Sequence, residues 1–233
     1  MSGFFDIYSI IFLVIAVVIF MRLGSVLGRR TGNEPAASEP RMKPAPTASR
    51  NDNVVALPPR DRAVPASPGA TDLAPIDRHA TPGTPLHAGL VAVAKTMPDF
   101  DVNHFVDGAK MAYEMIVTAF ADGDRATLKN LLASDVYDGF EAAIAEREGR
   151  GEKAELTFVG LQEAKITNAE LDGRSARLTL RFVADLISST RNKDGEVVQG
   201  DATEVQTIRD AWTFARDVGA RDPNWKLVAT EAV

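Results

Sequence analysis

Three regimes of hydrophobic patterning follow one another along the chain. Ile7 to Met21, IYSIIFLVIAVVIFM, is apolar and uncharged. From residue 31 to about residue 89 the apolar side chains are scattered without a period. Beyond residue 90 a helical period appears and then gives way to a strand period. Leu90 to Met97 reads as a short apolar helix ended by Pro98. Asp101 or Asn103 can cap the next helix, along which Phe105, Ala109, Ala112, Tyr113, Ile116, Val117 and Phe120 recur at helical spacing. Gly123 stops it. Asp124 can then cap a second helix with Leu128, Leu131 and Leu132, and Ser134 a third with Val136, Phe140 and Ile144 on one face.

The period of two begins with Leu156 and Phe158 and continues in Ala164 and Ile166. Parity breaks around Gly160, where a bulge is expected. Asp172-Gly173 marks a hairpin turn. Ala176, Leu178, Leu180, Phe182, Ala184 and Leu186 alternate along a long second strand. Asp194-Gly195 marks the next hairpin, and Ile208, Trp212 and Phe214 share a face of a third strand. Asp222-Pro223-Asn224 turns the chain into a last strand with Trp225, Leu227 and Ala229 on one face. The pattern predicts an α+β fold, a three-helix layer packed on a curved four-stranded antiparallel sheet, because that arrangement buries both apolar faces.

The first two regimes predict a membrane anchor and a tether. Ile7 to Met21 is short of the ~20 residues a span needs, and continuation through Leu27 supplies the length if Arg22 snorkels. The start MSGFFD carries no basic residue, unlike a signal peptide. Arg22, Arg29 and Arg30 follow the span and Asp6 precedes it, which predicts a single-pass protein of the inner (cytoplasmic) membrane with its N-terminus out and the C-terminal domain in the cytoplasm. Gly24 and Gly28 are read as ending the anchor helix. Twelve of the 13 prolines lie between Pro35 and Pro98. They remove backbone donors and restrict their neighbours, so residues 31–89 are predicted to be a disordered linker without persistent helices. Such a chain spans on the order of 40 Å. Val54-Val55-Ala56-Leu57 is an incidental apolar cluster within it. The expected division is thus 1–30, 31–89 and 90–233.

Charge sharpens this division. The net charge of -6 separates into +2 over residues 1–30, zero over 31–89 and -8 beyond. An acidic domain argues against nucleic-acid binding. Zero cysteines and three histidines leave no basis for a thiolate or multi-histidine metal site, and neither metal nor cofactor is expected. Gly123-Asp124-Arg125 lacks the glycine spacing of a phosphate loop.

The segments GAKMAYEMIVTAFADGDRATLKNLLASDVYDGF, STRNKDGEVVQGD, DAWTFAR and RDPNWKLVATE occur in an order that resembles the domain of the mitochondrial inner-membrane translocase subunit forty-four family. The likeness covers about residues 90 to 233. The anchor ending LGSVLGRRTGNE resembles that of the family's membrane-anchored bacterial members. Matching positions are Gly108, Tyr113, Gly123, Asp124, Asp210, Trp212, Phe214, Arg216, Pro223, Asn224 and Trp225. The resemblance implies a cone-shaped fold like that of nuclear transport factor two, with a hydrophobic crevice between helices and sheet. It also implies protein partners at the membrane, chaperone or translocation machinery among them. The long N-terminal region of the mitochondrial protein is replaced here by an anchor and a proline-rich linker, which puts chaperone recruitment in doubt.

Alternation places Asp210 on the apolar face of Ile208, Trp212 and Phe214. A carboxylate there must be bonded or its pKa rises. It reads either as a structural group satisfied by an arginine or backbone donors, or as a polar handle or general base in the crevice. The crevice candidates are Tyr113, Phe120, Phe182, Asp210, Trp212 and Phe214, and each of the aromatic ones could instead be plain core. His104 sits at a helix start and reads as solvated. The sequence LVAVAKTM from Leu90 has one cation, Lys95, and is expected to pack on the domain rather than on lipid. The leading expectation is a non-enzymatic, membrane-anchored adaptor that binds a protein partner through the crevice and meets the bilayer through its N-terminal helix. The alternatives are a lipid or small-ligand binding domain, and a dehydratase or isomerase using Asp210.

Overall fold

The computed structural model describes residues 73–220 and 222–233. The expected span Ile7 to Met21, the Val54–Leu57 cluster and the expected linker up to residue 72 lie outside them. Among the described residues no helix is long and apolar enough to cross a membrane. Within the described residues five helices precede four strands: α1 (Ala74–His79), α2 (Pro85–Thr96), α3 (Val102–Asp122), α4 (Arg125–Leu131), α5 (Ser134–Gly149), β1 (Lys153–Asp172), β2 (Ser175–Arg191), β3 (Val197–Asp217) and β4 (Lys226–Ala232).

Helices α1 and α2 correct the expectation that no helix persists before residue 90. Each has its proline in the first turn, where the missing N–H is an orphan anyway and the fixed φ suits the helix. The Thr84 side chain caps α2 by accepting from His87 N, and the helix begins at Pro85, five residues before the expected start at Leu90. Ile76, Leu90, Val93 and Met97 are buried, so the folded part reaches into the expected linker. The LVAVAKTM segment packs on the domain, as expected.

Local signals set the ends of α3. The Asp101 carboxylate accepts from His104 N at 2.8 Å, while Gly123 adopts φ 73 and closes the helix. Asp124 then caps α4 through Ala126 N and Thr127 N. Helix α5 differs from expectation. Its first residue is Ser134 itself, and Ala133 at the cap position makes no side-chain bond.

The strands form one antiparallel meander in the order β1-β2-β3-β4. Strand β2 buries Ala176, Leu178, Leu180, Phe182, Ala184 and Leu186 in strict alternation. The register of β1 shifts between Phe158 and Gly160, the expected bulge, and again at Leu161/Glu163 and Ile166/Asn168. Each shift bends the strand and curves the sheet around α3. Asp172 pairs with Ser175, so the first hairpin loop is Gly173-Arg174, one residue later than expected.

Strand β4 departs from its pattern. Thr213 pairs with Ala229 and Phe214 with Leu227, leaving Val228 as an extra residue. That bulge buries Leu227 and Thr230, rather than Ala229, on the inner face. Trp225 lies just before the strand and packs on Phe105 with ring centroids 4.7 Å apart.

Two glycines test the packing of helices on sheet. A Cβ on Gly89 in α2 would stand 1.9 Å from the Ala169 carbonyl oxygen, whereas one on Gly108 in α3 would meet nothing within 4 Å. Gly89→Ala should lose about 1–3 kcal/mol in urea unfolding. Gly108→Ala should gain about 0.5–1 kcal/mol from helix propensity. Equal effects of the two substitutions would contradict this close approach of α2 to β1.

Candidate functional site

Between α3, α5 and the far ends of β1–β3 lies a cleft of about 310 Å³. Small residues keep it open. Ala121, Ala142, Ala143, Ala154 and Gly200 line it, and none carries a side chain large enough to fill the space between helix and sheet. Its walls are completed by Ile116, Val117, Phe120, Phe140, Leu156, Leu186 and Ile208. Ser188, Ser189, Thr190 and Gln199 form a polar wall at the β2–β3 end.

Four of the six candidate residues meet here: Tyr113, Phe120, Asp210 and Trp212 all line the cleft. Phe182 and Phe214 do not, and their candidacy is corrected. Phe182 is fully buried beneath Tyr113, with ring centroids 4.7 Å apart. Phe214 sits further along β3 against Phe105, at 6.2 Å. Sharing a strand face with cleft residues is not enough, because α3 covers that face over part of its length.

The cleft floor is built around one hydrogen bond. Tyr113 OH donates to Asp210 Oδ2 at 2.7 Å. Tyr113 is fully buried and its ring also packs on Trp212 at 4.4 Å. Asp210 is 4% exposed, and its partner is a phenol rather than an arginine or a backbone donor. Burial pushes its carboxyl up to about 6, against the opposing pull of the Tyr113 bond. Asp210 Oδ1 and Thr230 Oγ1 are buried without a partner among the described residues.

Arg147 was not foreseen. It is only 8% exposed, and its Nη2 donates to the carbonyls of Phe120 at 3.1 Å and Ala121 at 2.8 Å. It thereby satisfies the last carbonyls of α3, a favourable place for a cation. Its guanidinium carbon lies 5.6 Å from the Phe120 ring centre. Desolvation lowers its pKa, and nearby charges of both signs modulate that. In the sequence it stands in EREGRG, at the end of the third expected helix. Arg150, also at the mouth, is paired with Glu146 and Glu152. Among the described residues no group of three or more His, Asp or Glu side chains is gathered to hold a metal ion. His104 is exposed at the start of α3.

The family model of the Tim44-like domain matches residues 86–232. The chain belongs to the Tim44-like domain family. Similar proteins include the mitochondrial import inner membrane translocase subunit TIM44 of Mus musculus and of Homo sapiens, each 22% identical over 146 residues. These matches cover 61% of this chain but 32% of either relative, so the chain spans about a third of their length. Among solved structures, the intermembrane-space region of the chloroplast protein ARC6 is similar with a TM-score of 0.40 at 12% identity, over 58% of this chain and 98% of that one. A nuclear transport factor 2-like superfamily protein from Salmonella enterica serovar Typhimurium gives 0.35 at 11% identity, over 57% and 92%.

The raised carboxyl of this Tim44-like domain links stability to pH. The fold binds the Asp210 proton more tightly than the unfolded chain does, so this group's contribution falls as pH rises from about 4 through about 6. Ionising it in the fold costs about 3 kcal/mol at neutral pH. Asp210→Asn keeps an acceptor for Tyr113 and removes that cost. Thermal melts should show the variant several degrees more stable than the parent at pH 7.5, with the difference vanishing near pH 4. A lower melting temperature at pH 7.5 would mean that the charged form is stabilised by the fold instead.

Proposed function

We propose that the chain is a membrane-tethered adaptor whose Tim44-like domain holds an apolar segment of a protein partner in its cleft, in the setting of protein translocation or membrane-protein handling. The observation that carries this is the cleft itself. It has the volume of a binding pocket, mostly apolar walls and a few polar groups that can fix orientation. The similar proteins named as import translocase subunits support the setting. The uncharged run Ile7 to Met21 and the basic residues after it support a single span, with the domain on the cytoplasmic side of the inner membrane. The role is non-catalytic. None of the chain's three histidines lines the cleft, and the Asp210 carboxylate and the Tyr113 hydroxyl are both buried and bonded to each other. With a charge of -8 beyond residue 90, the domain is held near anionic lipid by its tether rather than by its own surface.

Cross-linking and capture from membranes with the full chain tests the adaptor. Val117 and Ile208 line the cleft and are half-buried, so a charge there alters the mouth with little loss of core. Val117→Glu and Ile208→Glu should reduce the captured partner about fivefold or more while circular dichroism is unchanged. Capture that is indifferent to both variants sinks the cleft as the docking site. For the topology, protease added to intact cells should leave the domain whole, and its digestion would refute the cytoplasmic placement.

A further inference from the structure

Two oxygens without a partner among the described residues, Asp210 Oδ1 and Thr230 Oγ1, belong to side chains that are more than nine-tenths buried: Asp210 is 4% exposed and Thr230 3%. Both line the cavity. Thr230 pairs with Trp212 and Ala232 with Asp210, which makes Asp210 and Thr230 diagonal neighbours on the inner face. Side chains so related have Cβ atoms within about 7–8 Å, a separation that one polar group can bridge. Asp210 Oδ2 is already occupied by Tyr113, so Oδ1 is the oxygen left for a ligand. Around this pair the walls are apolar and aromatic, with Phe120, Phe140 and Trp212 among them.

We infer that the cleft receives a tyrosine side chain of the partner segment, its ring against the apolar walls and its hydroxyl donating to Asp210 Oδ1 while accepting from Thr230 Oγ1. This rests on the reading of the cleft as a partner site. Side-chain chemistry makes the selection. Leucine and phenylalanine leave both floor atoms without a partner, which costs free energy. Serine and threonine carry the hydroxyl on a stem too short to fill the cleft. Tryptophan only donates, and lysine only donates and must also shed its water along apolar walls. A carboxylate would meet Asp210 with like charge. Tyrosine alone joins a large apolar body to a tip that both donates and accepts. The cations at the mouth do not alter this choice, because Arg147 is committed to the Phe120 and Ala121 carbonyls and Arg150 to Glu146 and Glu152.

Ligand-observed NMR titrations of the purified full chain with N-acetyl-tyrosinamide, N-acetyl-phenylalaninamide, N-acetyl-lysinamide and 1-octanol test the inference. The tyrosine probe should bind about tenfold or more tightly than the phenylalanine probe. Thr230→Val, nearly isosteric, should cut that preference to about threefold or less. Asp210→Asn, which exchanges a charged acceptor for a neutral amide, should cut it similarly. Both variants are to be checked for native circular dichroism. Equal binding of the tyrosine and phenylalanine probes overturns the inference. Tightest binding by the lysine probe, or binding of octanol with neither aromatic amide bound, overturns it too. If the aromatic probes tie while Val117→Glu still abolishes capture, the tyrosine anchor falls and the adaptor stands. Absence of any captured partner removes both.

Discussion

A phenol hydroxyl crosses the core of this domain to meet the single carboxylate on the inner face of β3. The Tyr113–Asp210 bond joins a residue in the middle of α3 to one in the middle of the third strand, 97 positions later in the chain. A buried carboxylate without a donor would be costly, so the bond restricts how far α3 can rotate or slide over the sheet. With α3 in that position, Phe105 in its first half packs on Phe214 and Trp225, while its second half leaves space above Trp212. The cleft is thus the unfilled remainder of a helix–sheet interface whose rotation is set by one hydrogen bond. Arg147 holds the same helix at its other end by its last carbonyls. The helix that forms one wall of the cleft is therefore tied down both at its centre and at its C-terminus.

Much of this was legible in the residues. Capping by Asp101 and Asp124, the stop at Gly123, the alternation of β2 and the bulge before Gly160 are local features, and local features leave local signatures. The four-stranded meander followed from them. What could not be read depended on partners distant in sequence. The helical structure before residue 90 was hidden because proline is usually a breaker, and only its position in a first turn makes it compatible. Asp210 was legible as a residue in need of a partner, but not that the partner was a tyrosine. Phe182 and Tyr113 look alike as apolar periodic positions, and only the path of α3 decides which one borders space. Arg147 carried no signal, because no sequence rule reveals that a helix end will pass over its side chain. The cleft itself is made largely by what alanines and a glycine do not fill, and an absence of volume has no period.

The charge layout gains meaning from the fold. Some acidic side chains of the domain pair locally, as in Glu163–Arg181 and Glu155–Arg191 across strands and Glu148–Arg125 between helices. Exposed pairs of this kind contribute little stability each. They set charges of both signs side by side on the surface.

The extra residue at Val228 reaches beyond its own strand. Alternation assigns every second residue of β4 to the interior, and a single insertion exchanges the two sets from that point to the end of the chain. Here the exchange delivers a hydroxyl, Thr230, to the cleft floor in place of a methyl, Ala229. Loss of one residue before it would leave the hydrogen-bonded ladder able to form and yet give the recess a wholly different floor, dry where it is now polar. Within such a scaffold, the chemistry presented to a ligand can change by a step in length as well as by a change of side chain.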